Sequence, residues 1–356
     1  MNNPVILPPS NIGILGGGQL GRMIALKARE MGYFITTLDP TPNSPCGQIA
    51  DKQVIAEFHS LAGAAELARD CAVITYEFEN ISKDVARFLE LHSYLPQGWN
   101  ILESSQNRIL EKQLIAKAGA NIVEYYKVDN LNDFKKGLDE VGYPAVLKTV
   151  TGGYDGKGQY VLYDDKCARA VEEQIDKSSK GFILERYIPF LKELSIVVAR
   201  NPNGEVMAFP VAENIHRDNI LFMTIAPARV SKEITATAEK IGIQLANCLK
   251  INGLLAVEMF LLSSGEILVN EIAPRPHNSA HFTQQACITS QFEQHIRAIC
   301  NLPLADTRII CPTVMVNILG EDLKHVLNKL PVLNSSFKIH LYGKKEVKSK
   351  RKNGTS

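Results

Sequence analysis

The chain has 356 residues, of which 39 are basic and 38 acidic, for a formal net charge of +1. That balance argues against general affinity for nucleic acid or a membrane surface, and no apolar run reaches the roughly 20 residues that span a bilayer. The length leaves room for two or three lobes, and Met1–Ser10 lacks the basic-then-apolar layout of a secretory signal. Seven scattered cysteines, none in a CxxC pair, point to reduced cytoplasmic thiols rather than a disulfide framework or structural zinc.

In chain order, residues 12–16 predict a short buried strand, 17–32 a glycine turn and helix, and 33–38 a second strand ending at Asp39. Residues 40–45 are a loop, 73–76 a third strand and 83–91 a helix; strands alternating with helices imply a parallel sheet. Ser104 or Ser105 can cap a helix running to about Ala118. The pattern then changes, with strands at 123–128, 145–150 and 159–163 and helices at 131–141 and 166–177. Strands follow at 182–187, 194–200 and 206–211, then an amphipathic helix at 234–249 and a hairpin from 254–262 and 266–272. A helix at 291–300, a strand at 313–319 and a basic tail from Lys344 to Lys352 complete the chain.

Five stretches carry chemistry. Gly16-Gly17-Gly18-Gln19-Leu20-Gly21 fits the GxGxxG spacing, with Asp39 near the acidic position of a dinucleotide site, so a nicotinamide dehydrogenase is one reading. The same turn can hold another phosphate or simply pack tightly. Lys148, followed by Gly152–Gln159 with four glycines, reads as a flap whose amides and lysines suit a phosphate chain; a mobile hairpin tip is the plainer reading. Glu185-Arg186-Tyr187-Ile188 and Glu193 suit an adenine edge and ribose hydroxyls, although for the run taken alone an exposed strand edge is the better reading. A two-residue turn at Ser264-Gly265 sets Glu258 opposite Glu271, an unfavourable pair that Mg²⁺ would reverse, with Asn270 adding an oxygen. His216-Arg217 could reach a phosphate or sugar. Pro274-Arg275-Pro276-His277-Asn278-Ser279 gathers a cation, an imidazole, an amide and a hydroxyl behind a carboxylate, as suits an oxyanion beside a metal, or else forms a polar turn before a capped helix.

Together these residues resemble the ATP-grasp ligases. More narrowly, GGYDGKGQ at 152–159, Tyr76-Glu77-Phe78-Glu79-Asn80 and NEIAPRPHNS at 270–279 are similar to the N5-carboxyaminoimidazole ribonucleotide synthetase family, over nearly the whole chain. The resemblance implies a mixed α/β and α+β ATP-grasp fold in three units. These are a Rossmann-like parallel-sheet lobe (1–113), a glycine-flap ATP-grasp lobe (114–304) and a short C-terminal lobe (305–356). It also implies ATP- and Mg²⁺-dependent carboxylation of 5-aminoimidazole ribonucleotide by bicarbonate through carboxyphosphate, by a cytoplasmic homodimer using one or two magnesium ions. Under it, Arg108 and Lys148 contact ATP phosphates. Gly153, Tyr154, Asp155, Gly156, Lys157, Gly158 and Gln159 close over them. Glu185, Arg186, Tyr187 and Ile188 hold adenine, Glu193 and His216 line the nucleotide site, and Glu258 and Glu271 bind metal beside Asn270. Gln19, Glu77, Tyr154 and Asp155 face the ribonucleotide, and Lys345, Arg351 and Lys352 grip its 5′-phosphate. Arg275, His277, Asn278 and Ser279 surround bicarbonate and the moving phosphoryl group, with Asp155 or His277 as proton acceptor.

The formate-dependent glycinamide ribonucleotide transformylases share the glycine-rich start and a PRPH element, but theirs resembles PRPHDTG; here Asn278-Ser279-Ala280-His281 comes next. The family pattern PRPHNSGH has Ala280 in place of glycine, and RKMGH reads Arg351-Lys352-Asn353-Gly354-Thr355 with a short tail. That ending makes an ATP-binding, non-catalytic form a further expectation to be weighed.

Overall fold

The computed structural model describes residues 3–153, 158–344 and 351–356. Tyr154, Asp155, Gly156 and Lys157 of the expected flap, and Lys345 of the expected phosphate grip, lie outside the described residues.

The N-terminal sheet is parallel, with strands β1 (Asn11–Leu15), β2 (Phe34–Leu38), β3 (Lys52–Val54) and β4 (Val73–Tyr76) in the order β3-β2-β1-β4. Strands β1, β2 and β4 are almost wholly buried, as parallel strands covered on both faces must be. Helices α1 (Gln19–Glu30), α2 (Leu61–Asp70) and α3 (Lys83–His92) belong to this lobe. Strand β3 and helix α2 were not expected. The strand is three residues long with a polar start, and LAGAAELARD carries too few large apolar side chains to mark a face. Its start is legible only in retrospect, where the Ser60 hydroxyl accepts from the Gly63 N–H.

Two helices come next, α4 (Asn100–Ser105) and α5 (Arg108–Lys117), in place of one helix capped by Ser104 or Ser105. Those hydroxyls instead donate back to the Asn100 and Leu102 carbonyls. The cap is Asn107, whose side chain accepts from the Ile109 and Leu110 N–H groups, a contribution of about 1 kcal/mol.

The second sheet is antiparallel, with β5 (Tyr125–Val128), β6 (Ala145–Thr149), β7 (Gln159–Leu162) and β8 (Phe182–Arg186) in the order β5-β8-β6-β7. Helices α6 (Leu131–Val141) and α7 (Asp165–Lys177) pack Phe134, Val171 and Ile175 against it. Strand β8 is interior, which corrects the exposed-edge reading of Glu185–Ile188. The Arg186 N–H donates to the Glu124 carbonyl at 3.0 Å and the Tyr187 N–H to that of Pro144 at 3.1 Å. The Arg186 and Tyr187 amides are therefore not free for an adenine edge.

The third sheet holds β9 (Lys192–Arg200), β10 (Val206–Ala208), β11 (Ala212–Arg217), β12 (Ile220–Ala226), β13 (Gly253–Leu261), β14 (Ile267–Ala273), β15 (Thr313–Leu319), β16 (His340–Leu341) and β17 (Lys352–Thr355). Its order is β14-β13-β9-β11-β12-β15-β17-β16, with β10 beside β9. With it come α8 (Lys232–Cys248), α9 (Thr283–Ala286), α10 (Gln291–Ile299) and α11 (Gly320–Lys329). Ile196, Val198, Leu255 and Val257 form its core with Leu245 and Ala246 of α8. The β11–β12 hairpin and α11 were not expected. The hairpin turns on Asp218 and Asn219, both with positive φ (49° and 61°), a primed turn without the glycine that usually signals it. Because β12 pairs with β15, and β15 with β17, the sheet runs on into the C-terminal segment, and the expected basic tail ends as a strand. Among the described residues no helix is long and apolar enough to cross a membrane.

Candidate active site

A cleft of about 850 Å³ is walled by the second and third sheets and floored by the loop after β14. Lys148 reaches it from β6. Its Nζ lies 2.7 Å from Glu185 Oε2 on β8, while Lys112 of α5 approaches the other oxygen at 3.2 Å. Burial alone would raise the Glu185 carboxyl, but Lys148 and Lys112 outweigh it and hold the group down at about 2. Glu185 is thus an ionised, buried counterion.

On the facing sheet, Glu258 of β13 and Glu271 of β14 are directly opposed. The hairpin reaches that register by a different route from the one expected. Its turn has three residues, closed by a hydrogen bond from the Leu262 N–H to the Glu266 carbonyl, with Gly265 at φ +87°. A bulge beside Glu258 then restores the pairing and leaves Asn270 unpaired. Burial, and after it the charge of Glu271, push Glu258 up to about 7. Arg108 of α5 lies 3.4 Å from Glu271 Oε2. Glu111, one residue from Lys112, accepts from the Ile272 N–H at 2.8 Å and so ties α5 to the strand bearing Glu271. Two opposed carboxylates beside an amide are hard oxygen donors, and the repulsion between them is what a divalent cation relieves, so these residues fit Mg²⁺.

The segment after β14 is held from several sides. Arg275 pairs with Glu79 at 2.6 Å. Gln291, wholly buried at the start of α10, accepts from the His277 N–H and donates to the His277 carbonyl, both at 2.8 Å. The His277 ring turns Nδ1 to the Ser279 hydroxyl at 2.9 Å and N–H at 3.4 Å, so Nδ1 accepts and the proton sits on Nε2. That nitrogen is 3.4 Å from Glu258. Burial, then the charge of Arg275, keep His277 well below the usual histidine range, so it is a neutral donor toward the cleft. This tautomer disfavours the expectation that His277 accepts a proton. Glu193 and His216 meet at 2.5 Å; burial draws the imidazole down, but Glu193 more than restores it.

The glycine turn departs from the dinucleotide reading. Glu77, at the end of β4, accepts from the Gly18 and Gly21 N–H groups at 2.5 Å each, and Asp39 accepts from Gly17 at 2.8 Å. The α1 N-terminus therefore already holds an anion, the chain's own carboxylate. A Cβ on Gly18 would stand 2.5 Å from Glu77 Oε1, so the glycine makes room for that side chain.

Of the anticipated residues, Arg108, Lys148, Gly153, Gln159, Glu185, Arg186, Tyr187, Ile188, Glu193, His216, Glu258, Asn270, Glu271, Arg275, His277, Asn278 and Lys352 line one cleft. Gln19 adjoins it through a 3.2 Å hydrogen bond to Asn278 and accepts from Lys344 at 2.7 Å. Glu77 and Ser279 are buried and do not line it, and Arg351 is exposed. Sequence reasoning missed Lys112, Glu111, Gln291 and Lys344. Glu79 stands in the 76–80 motif, but nothing along the chain pairs it with Arg275. Only Lys344 carried a signal, as part of the basic tail; the others act through contacts between distant segments.

Family models match three stretches: the ribonucleotide synthetase preATP-grasp domain at residues 10–103, the ATP-grasp domain at 113–292 and the phosphoribosylaminoimidazole carboxylase C-terminal domain at 313–354. The N5-carboxyaminoimidazole ribonucleotide synthase of Bacillus subtilis (strain 168) is 47% identical over 354 residues, covering 99% of this chain and 92% of the relative. An ADP complex of an N5-carboxyaminoimidazole ribonucleotide synthetase superposes with a TM-score of 0.97 at 50% identity, over 99% of this chain and 93% of that one. The Aspergillus clavatus N5-carboxyaminoimidazole synthase in complex with ADP and 5-aminoimidazole ribonucleotide has a TM-score of 0.89 at 30% identity, over 97% and 92% of the two chains.

Proposed function

We propose the reaction from the family: this chain belongs to the N5-carboxyaminoimidazole ribonucleotide synthases, and it carboxylates 5-aminoimidazole ribonucleotide at the expense of ATP. The observation that carries the reading is the meeting, in one cleft, of Lys148 and Arg108 with the opposed carboxylates Glu258 and Glu271 and with Arg275. Such a site is built to hold a phosphate chain and to neutralise a phosphoryl group in flight.

Bicarbonate is a poor electrophile, and phosphorylation turns it into carboxyphosphate, an activated acyl donor. In this proposal Lys148 and Arg108 hold the ATP phosphates, and the Ile188 hinge, Glu193 and His216 hold the nucleoside. Glu258, Glu271 and Asn270 would hold magnesium, which supplies charge neutralisation to the phosphates. Arg275, fixed by Glu79, and the Nε2–H of His277 meet the oxyanions of bicarbonate. Gln19, Asn278 and the basic residues near Lys344 and Lys352 receive the ribonucleotide. Its exocyclic amine attacks the acyl carbon, phosphate leaves, and the amine proton passes to a base. Asp155 is proposed for that role, because His277 presents a proton rather than a lone pair to the cleft. The labile intermediate requires that water be kept out of the cleft. The division into 1–113, 114–304 and 305–356, the homodimer and the cytoplasmic location belong to the same proposal.

The test is ADP release by the purified chain with ATP, magnesium and bicarbonate, with and without 5-aminoimidazole ribonucleotide, and with formate replacing bicarbonate in a third arm. Strong stimulation by the ribonucleotide that requires bicarbonate is the expected result. No stimulation while ATP still binds, or stimulation that requires formate, would overturn it.

A further inference from the structure

Among the described residues, Lys112 is a cation buried where the proposed chemistry has no use for it. Its side chain is 2% exposed on α5, and its ammonium lies 3.2 Å from Glu185 Oε1. Lys148 holds the other oxygen of the same carboxylate at 2.7 Å and lines the cleft, whereas Lys112 does not. One buried carboxylate thus has two ammonium partners, only one of which can reach a ligand. A buried carboxylate with a single partner would oppose that partner's departure, because an uncompensated charge in the interior is strongly unfavourable.

We propose that Lys112 is a positioning residue that frees Lys148: it keeps Glu185 compensated when nucleotide phosphates draw the Lys148 ammonium away. The inference rests on the reading that Lys148 meets those phosphates. With Lys112 present, nucleotide binding leaves a neutral Glu185–Lys112 pair. With an uncharged side chain of similar length at 112, the phosphates must strand Glu185 or do without Lys148.

The experiment is calorimetric titration with AMP and with ADP of the full chain, as wild type, Lys112→Met, Lys112→Arg, Glu185→Gln and the Lys112→Met/Glu185→Gln double variant. Wild type is expected to prefer ADP over AMP. Lys112→Met should lose that preference by about tenfold or more with AMP affinity unchanged, as the stranded charge requires, and Lys112→Arg should keep it. In the Glu185→Gln background there is no carboxylate to strand, so Lys112→Met should cost nothing; this pair decides the matter even where the single Met variant does not fold. An intact preference in Lys112→Met, equal weakening of AMP and ADP, or a full loss on adding Lys112→Met to Glu185→Gln would each overturn the proposal. A wild type that does not distinguish ADP from AMP would instead remove the phosphate-site reading, and this inference with it.

Discussion

Two stretches of this chain look like phosphate sites in sequence, and the fold treats them oppositely. At Gly16–Gly21 the Gly18 and Gly21 amides at the start of α1 are taken by Glu77, and that of Gly17 by Asp39, so the turn is occupied from within. At the cleft, Lys148, Arg108, Glu258 and Glu271 come from four different elements and line one open cavity. The lesson is that a glycine turn advertises close backbone approach and says nothing of what approaches. A carboxylate about sixty residues away can be the anion. The cleft, by contrast, gathers like charges whose mutual repulsion invites a ligand.

The comparison predicts effects of different kinds and sizes. The largest is in the cleft: Glu271→Gln should lower magnesium-dependent ADP release by at least about 100-fold, with an unchanged circular-dichroism spectrum. Normal turnover would remove the metal assignment. Next is the turn, where Glu77→Gln should destabilise the fold by about 2 kcal/mol, read as a lower urea midpoint. Two charge-assisted bonds are weakened, against the relief of a carboxyl that burial raises above its ordinary range. An unchanged midpoint, or a gain of NADH binding by the wild type, would erase the distinction between the two regions.

The smallest effect concerns the joint between them. His295 of α10 reaches Thr75 of β4 at 2.7 Å; Thr75 bonds Gln97, and Gln97 donates to the Pro274 carbonyl at 2.8 Å, just ahead of Arg275. Burial depresses His295 and His281 to about 3, both held neutral. The unfolded chain therefore binds more protons than the native one below the ordinary histidine value of about 6.5. The stability these rings contribute is complete above that pH and is lost as pH falls toward 3, by about 1.4 kcal/mol per pH unit for each. Urea unfolding of His295→Gln between pH 6 and 5 should show a slope flatter by that amount; an identical slope would mean that His295 is not buried neutral.

Much of the fold is legible along the chain. The strands at 11–15, 34–38 and 73–76, the helices at 131–141 and 165–177 and the β13–β14 hairpin follow from local periodicity. The pairing of Glu258 with Glu271 was read correctly for an incomplete reason. The assumed two-residue turn was one residue short, and the bulge at Asn270 corrected it. Turn length and bulge position are set by packing on both sheet faces, so neither could be read from the strand sequences. The β11–β12 hairpin escaped because its turn lacks glycine.

By itself, then, the sequence determined most of the elements, the order in which they bring a lysine strand and two carboxylates, and the family to which the chain belongs. Those follow from contacts within a few residues or from motifs intact in a line of text. Only the tertiary structure decided that Glu77 fills the glycine turn, that Lys112 shares Glu185 with Lys148, and that Gln291 and Gln97 brace the segment around Arg275 and His277. Each of those pairings joins residues 14 to 177 positions apart or involves a charge hidden in a helix. Their partners are selected by desolvation, because a buried charge or amide must find whatever complementary group the fold delivers.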